Sequence, residues 1–132
     1  MRKNLLITLP FIFMAIFSIA QEDSDCSKTL IKAQRIYDSG EIEKVEQLIR
    51  ACMEDGFTKA QKTDAYQLII LVNLFEDDML KAELNMVELL KHNPDFKPKS
   101  NDHQEIKDLY KKFRTDPLLI ILLESILQKV KF

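Results

Sequence analysis

The sequence predicts an all-α protein built from antiparallel helical hairpins. Three observations support this: only two glycines in 132 residues, a composition rich in Lys, Glu, Leu and Ile, and apolar residues that recur at helical spacing. A β-sandwich or barrel needs a turn roughly every 8 to 12 residues, for which two glycines are too few. The length suits one compact domain.

Residues 1–20 are predicted to be a secretory signal peptide and not part of the fold. Arg2 and Lys3 precede an uncharged apolar run of about 15 residues, shorter than the roughly 20 needed to span a bilayer. A short polar segment, 21–25, follows. The expected mature chain, residues 21–132, carries 17 basic and 21 acidic side chains. It has no basic cluster with interleaved aromatic residues, so nucleic-acid binding is not expected.

Export changes the interpretation of the two cysteines. An even number of cysteines in an oxidising compartment favours a disulfide. Cys26 and Cys52 are 26 residues apart, which suits the open end of a helical hairpin that turns at Gly40. The alternative is two buried free thiols. Two cysteines and two distant histidines are a poor zinc set, and no metal site is expected.

The first helical hairpin is predicted from two stretches of helical periodicity. Apolar residues recur at helical spacing from Ser27 to Ser39, and the pattern resumes over residues 41–55. Gly40 separates the two helices, and Gly56 ends the second one.

A second hairpin follows at once. Thr58 is a suitable N-cap for a third helix, which is apolar on nearly every side as far as Phe75. A helix of that kind is expected to be buried. After the polar turn at residues 76–78, a fourth helix ends near Pro94.

The C-terminal part is predicted to form two more helices. Asn93–Asn101 is a connector with two prolines, Asp102 is expected to cap a short helix, and Pro117 suits the first turn of another. The helical domain is therefore expected over residues 26–116, followed by an apolar tail, 117–132. We expect this tail to pack onto the preceding helices. Insertion into a partner, or the start of a larger domain, are the alternatives.

The two hairpins repeat with an offset of 37 residues. The aligned pairs are Ala33 and Ile70, Gly40 and Asp77, Val45 and Ala82, Ile49 and Met86, and Cys52 and Leu89. The second hairpin resembles a tetratricopeptide repeat, with Tyr66, Ala82 and Pro94 at its usual aromatic, small and terminal proline positions. Asn73 stands where that repeat usually has tyrosine. The resemblance implies two tetratricopeptide-like repeats with a C-terminal helical cap.

A wider resemblance is to the periplasmic helical module of cell-envelope proteins in the Bacteroidota. The residues that carry it include Cys26, Cys52, Gly56–Lys59, Asn93–Pro98 and Phe113–Thr115. This resemblance implies a periplasmic scaffold tied to an outer-membrane or secretion assembly. The tetratricopeptide-like register also brings the two cysteines together.

The sequence offers no recognisable catalytic or cofactor-binding set. His92 and His103 flank the proline-rich connector, and neither is placed with a nucleophile in the order that a catalytic triad requires. Two glycines at helix ends cannot form a phosphate-binding loop. We therefore expect no enzyme activity, no cofactor and no catalytic residues.

A protein-binding surface is the remaining prediction. Tetratricopeptide-like hairpins line a concave face with the first helix of each unit. The partner-binding residues expected there are Gln34, Tyr37, Asp38, Gln67, Leu71, Leu74 and Phe75. The expected partner is an outer-membrane or envelope protein. For Leu71, Leu74 and Phe75, burial beneath the helix at 103–113 or beneath the tail is the alternative.

Two other functions stay open from sequence. One is a periplasmic carrier of a small ligand or lipid, using an empty pocket above about 300 Å³ under the third helix. The other is a membrane-peripheral protein that docks through its apolar tail, residues 117–132.

Overall fold

The computed structural model describes residues 22–130, and this part of the chain contains six α-helices. They are α1 (Glu22–Asp38), α2 (Val45–Met53), α3 (Lys59–Phe75), α4 (Met79–His92), α5 (Gln104–Thr115) and α6 (Pro117–Val130). No strand occurs within this part of the chain. The all-α prediction is confirmed. The expected signal peptide, residues 1–20, lies outside the described residues.

The first hairpin differs from the prediction in its helix boundaries. Helix α1 begins at Glu22, inside the expected polar segment 21–25. Residues 22–26 contain no glycine or proline, so nothing in that stretch stops the helix from extending toward the N-terminus. The second helix opens with a 3₁₀ turn at Ile42–Lys44 and ends at Met53. Such 3₁₀ turns are common at helix ends.

The sequence predicts Thr58 and Asp102 as the N-caps of α3 and α5. Thr58 caps α3 as predicted: its Oγ1 accepts from the Gln61 amide at 3.2 Å, and its own amide donates to Gln61 Oε1 at 3.0 Å. The prediction for Asp102 is wrong. Its carboxylate accepts from the Lys99 amide at 2.7 Å and so closes the preceding turn, which leaves His103 as the N-cap residue of α5.

The first helices and the turns of the two hairpins match at an offset of 37 residues, whereas α2 has 9 residues and α4 has 14. Helices α1 and α3 are both 17 residues long. Each of their turns contains three backbone hydrogen bonds at equivalent positions. In the first turn the amides of Ser39, Gly40 and Glu41 donate to the carbonyls of Arg35, Tyr37 and Ile36 respectively. In the second turn the amides of Glu76, Asp77 and Asp78 donate to the carbonyls of Val72, Leu74 and Asn73. The aligned apolar pairs, such as Ala33 with Ile70 and Val45 with Ala82, are all buried.

Helix α3 lies between two core clusters and is buried by both, as its apolar sequence predicts. The N-terminal cluster joins α1, α2 and α3 through Ala33, Ile42, Val45, Ile49, Ala65, Leu68, Ile69 and Val72. The C-terminal cluster joins the opposite side of α3 to α4, α5 and α6, and includes Ile70, Leu71, Met86, Leu89, Ile106, Leu109, Phe113 and Leu123. Tyr37 packs against both clusters.

Helix α5 crosses α3 and α4 and is fixed to the connector that precedes it. Phe113 is buried in the C-terminal cluster. Arg114 Nη2 donates to the Pro94 carbonyl at 2.8 Å, and its guanidinium lies 5.3 Å from the centroid of the Tyr110 ring. The Phe96 ring meets the same tyrosine edge-on. The connector is therefore an ordered loop.

The tail forms helix α6 and packs back onto α4 and α5, as predicted, but only through one face. Leu123 is buried, and Glu124 forms an ion pair with Lys91 of α4 at 3.3 Å. The opposite face carries exposed apolar side chains. Among residues 22–130, no helix has the length and apolar character needed to cross a membrane.

Candidate functional site

The predicted disulfide is present and fixes the open end of the first hairpin. Cys26 of α1 and Cys52 of α2 are joined, with their Cα atoms 5.7 Å apart. Gly56 lies directly against this bridge, because a Cβ at that position would overlap the Cys26 Sγ. Beside it, Gln61 Nε2 donates to Ser27 Oγ at 2.5 Å and so ties the start of α3 to α1.

A groove runs between α1 and α3 and is the candidate binding site. It has a volume of about 320 Å³ and is open to solvent. Its walls come from the two parallel first helices of the hairpins, and the loop before α5 closes one side. The lining residues are Leu30, Ile31, Gln34, Asp64, Gln67, Leu68, Leu71, Asp102 and His103. We call this feature the α1–α3 groove.

The α1–α3 groove combines an apolar floor with polar walls. Leu68 and Leu71 are buried and form the floor. Gln34 on α1 and Gln67 on α3 contribute side-chain amides, each of which can both donate and accept hydrogen bonds. The groove can therefore hold apolar side chains while bonding to the backbone of a bound chain.

The acidic side of the groove is formed by Asp64 and Asp102. Burial raises the pKa of the Asp64 carboxyl, the nearby Asp102 charge raises it further, and Lys99 opposes the shift. Asp64 is exposed and Asp102 is half-buried, so the acidic side of the groove stays in contact with solvent.

Three of the seven predicted contact residues line the groove, and a fourth supports it. Gln34, Gln67 and Leu71 are lining residues. Asp38 is exposed and accepts a hydrogen bond from Gln34 Nε2 at 2.9 Å, so it orients that amide.

Tyr37 lies behind the groove. Its half-buried ring packs against both core clusters and meets the ring of His103 edge-on, with centroids 6.5 Å apart. Burial raises the pKa of the Tyr37 hydroxyl, and the charges of Glu105 and Asp38 raise it further. Its position is that of a packing residue between α1, α3 and α5.

The last two predicted residues lie elsewhere. Leu74 is partly buried and lines a second open groove, of about 380 Å³, together with Met79, Glu105, Asp108, Leu109 and Lys112. Phe75 is 68% exposed and lines a third, of about 370 Å³, beside the turn at residues 40–44. The structure therefore does not place the seven residues on one surface: Leu74 lies beside α5, and Phe75 lies beside the turn at residues 40–44.

Sequence reasoning missed several lining residues. The 37-residue register contained the signal for two of them, since Leu30 and Ile31 are the equivalents of Gln67 and Leu68. Asp102 and His103 line the groove because the long connector before them brings them there. No local pattern in the sequence predicts the path of that connector.

The two histidines have separate packing partners. A ring nitrogen of His92 lies 3.3 Å from the Lys59 carbonyl, and its ring is tilted against Tyr66. His103 packs against Tyr37. Over the described residues, no group of three or more His, Cys, Asp or Glu side chains is arranged to hold a metal ion.

No protein family model matches this chain, and no curated protein or solved structure is significantly similar to it. The interpretation of its function therefore rests on the sequence and on the geometry of the α1–α3 groove.

Proposed function

We propose that this protein is a non-catalytic, exported binding module that holds a polypeptide segment of an envelope protein in the α1–α3 groove. It would act in the periplasm as a scaffold for an outer-membrane or secretion assembly. The observation that carries the proposal is the groove itself, in which an apolar floor lies between two walls that both present side-chain amides.

The shape of the groove favours a polypeptide over a small molecule. A small-ligand site usually buries most of its ligand's surface. The α1–α3 groove has a suitable volume, about 320 Å³, but it is an open trough. Buried side chains of the two core clusters pack on opposite sides of α3. A chain segment laid along the trough would keep one side in contact with water, as peptides bound in helical grooves do.

The location and the class of partner rest on the sequence. The expected signal peptide and the disulfide between Cys26 and Cys52 both suit an oxidising compartment outside the cytoplasm. The resemblance to the periplasmic module of Bacteroidota envelope proteins adds the outer-membrane or secretion context.

Site-specific photo-cross-linking in the source cells tests the proposal. A photoreactive amino acid placed at Gln34 or at Gln67 lies in opposite walls of the groove. Lys32 is the matched control, because it is exposed on α1 and does not line the groove. We expect the same envelope protein to be cross-linked from both groove positions, and not from Lys32.

A second variant tests whether the cross-link depends on the groove lining. Ile31→Lys introduces a charge into the lining at an exposed position, so it should abolish the cross-link without unfolding the protein. A cross-link obtained equally from Lys32, or the absence of any product from both groove positions, would refute the proposal.

A further inference from the structure

The two ends of the helical stack differ in polarity. The 37-residue register pairs exposed cationic residues of α1 with buried apolar residues of α3: Lys28 with Ala65, Lys32 with Ile69, and Arg35 with Val72. In α3 these positions pack against the preceding hairpin. In α1 they face solvent, as in the polar terminal units of repeat proteins. The outer face of the first hairpin is therefore covered by charged side chains.

The C-terminal end has the opposite character. Leu118, Ile121 and Leu122 are 72%, 63% and 56% exposed on the outer face of α6. Their spacing of three and four residues places them in one stripe on a helix. We call these three residues the α6 stripe. The opposite side of the same helix is packed into the core through Leu123.

We propose that the α6 stripe is a homodimer interface, in which α6 pairs antiparallel with α6 of a second copy about a two-fold axis near Leu122. The charges at the two ends of the helix favour this arrangement. Asp116 lies at the N-terminal end, where its Oδ1 accepts from the Leu118 amide at 3.1 Å, and Lys129 lies in the last turn.

The register of the pair follows from the helical rise of about 1.5 Å per residue. Lys129 is seven residues beyond Leu122, and Asp116 is six residues before it. An antiparallel copy therefore brings each Lys129 level with Asp116 of the other copy, to within about 1.5 Å along the axis. A parallel copy would instead place the two Lys129 side chains together.

A second copy fits the stripe better than a membrane does. The expected mature chain has 17 basic and 21 acidic side chains, a small net negative charge that weakly opposes both an anionic lipid surface and a second copy. The local match of Asp116 with Lys129 is what favours the second copy. Two-fold pairs are the commonest protein assemblies. The 14 residues of α6 span only about 21 Å, so the interface is smaller than that of a permanent dimer, and the association is expected to be reversible.

Sedimentation equilibrium of the mature chain, residues 21–132, up to millimolar concentration is the first test. We expect a reversible dimer that Ile121→Lys removes. Ile31→Lys is the matched control, since it places the same charge at an exposed isoleucine of α1. Thermal unfolding of both variants checks that they are folded. Ile31→Lys should keep the dimer and lose the groove cross-link. Ile121→Lys should lose the dimer and keep the groove cross-link. The dimer proposal and the groove proposal can therefore be refuted independently of each other.

Single cysteines test the geometry. In the proposed pair, residue 122 of each copy lies at the axis, so Leu122→Cys should form an intermolecular disulfide on oxidation. The two copies of residue 118 would be about 12 Å apart along the axis, beyond disulfide reach, so Leu118→Cys should not. A chain that stays monomeric throughout, including one that binds vesicles of anionic lipid as a monomer, would overturn the proposal. Equal disulfide formation between copies in Leu122→Cys and Leu118→Cys would also overturn the proposal.

Discussion

Gly40 and Asp77 occupy the same position in the two hairpin turns, and both have a left-handed backbone, with φ of 84° and 58°. A Cβ added at Gly40 would meet no atom within 4 Å, so space is not the reason for glycine there. The turn itself requires the left-handed conformation, which glycine adopts without strain and aspartate adopts at some cost.

This relationship predicts opposite effects for two substitutions. Gly40→Ala should lower the free energy of unfolding by about 1 kcal/mol, because alanine is strained at positive φ. Asp77→Gly should raise it by about 0.5 kcal/mol by relieving the same strain. Urea denaturation measures both. A change of the same sign in the two variants would contradict this account of the turn.

Gly56 is expected to be intolerant of a side chain while the disulfide is formed. Gly56→Ala places a methyl group onto the Cys26 Sγ, and overpacking of this kind costs about 1 to 3 kcal/mol. The control is the same substitution in a Cys26→Ser/Cys52→Ser background, where the smaller, unlinked side chains can move apart. Thermal unfolding should show a large loss only in the disulfide-linked protein. An equal loss in both backgrounds would mean that the bridge is not the cause.

The pair formed by the buried Asn73 and the half-buried Asn85 predicts a non-additive double mutant. Asn73 Oδ1 accepts from Asn85 Nδ2 at 2.9 Å, while Asn73 Nδ2 is buried with no hydrogen-bond partner among the described residues. The equivalent residues of the first hairpin are Ile36 and Leu48. Asn85→Leu alone should therefore cost about 1 to 3 kcal/mol, because it leaves Asn73 wholly unpaired.

Adding Asn73→Ile to Asn85→Leu should restore at least the original stability, since both polar groups are then replaced by the residues that the first hairpin uses. Chemical denaturation of the two single variants and the double variant gives the coupling energy. Simple additivity of the two changes would show that the pair is not coupled.

Tyr37 is expected to be a stability residue. Its ring packs against both core clusters, so Tyr37→Ala should lower the free energy of unfolding by about 2 to 3 kcal/mol. Tyr37→Phe keeps the ring and should change stability little. The groove cross-link from Gln34 should persist in Tyr37→Phe. Loss of that cross-link with unchanged stability would instead identify the Tyr37 hydroxyl as a partner contact.

The raised pKa of Asp64 predicts that replacing this residue with a neutral one increases stability in a pH-dependent way. Burial and the Asp102 charge hold the pKa of this carboxyl above its ordinary 3.8, so the folded protein binds the proton more tightly than the unfolded chain. Ionisation of Asp64 therefore lowers stability as the pH rises through the folded pKa. Asp64→Asn should raise Tm near pH 7, and the difference should disappear near pH 3. An unchanged difference across this range would refute the assignment.

Local patterns predicted the helices because their causes are local. The helical spacing of apolar residues, the Thr58 cap and Pro117 all act within a few residues of their own position. The disulfide was also predictable, since the spacing of Cys26 and Cys52 matches the length of one hairpin.

The candidate site was only partly predictable because its shape depends on a long-range crossing. The connector at 93–101 leads into α5, which packs against α3, α4 and α6, and no local pattern encodes that path. Asp102 and His103 therefore reach the lining from a distant part of the chain, and Tyr37 packs against His103 behind the groove. Phe75 lies on another surface, beside the turn at residues 40–44.

The position of the disulfide has a consequence for how the molecule opens. In a stacked helical array each unit is stabilised by its neighbours. Among residues 22–130 the first hairpin has a neighbour on one side only, and its outer face carries the exposed side chains of Lys28, Lys32 and Arg35. The covalent bond lies in that hairpin and compensates for the missing interface. Chemical reduction should therefore lower hydrogen-exchange protection first in α1 and α2 and last in α3 and α4, so that the protein loosens from one end inward.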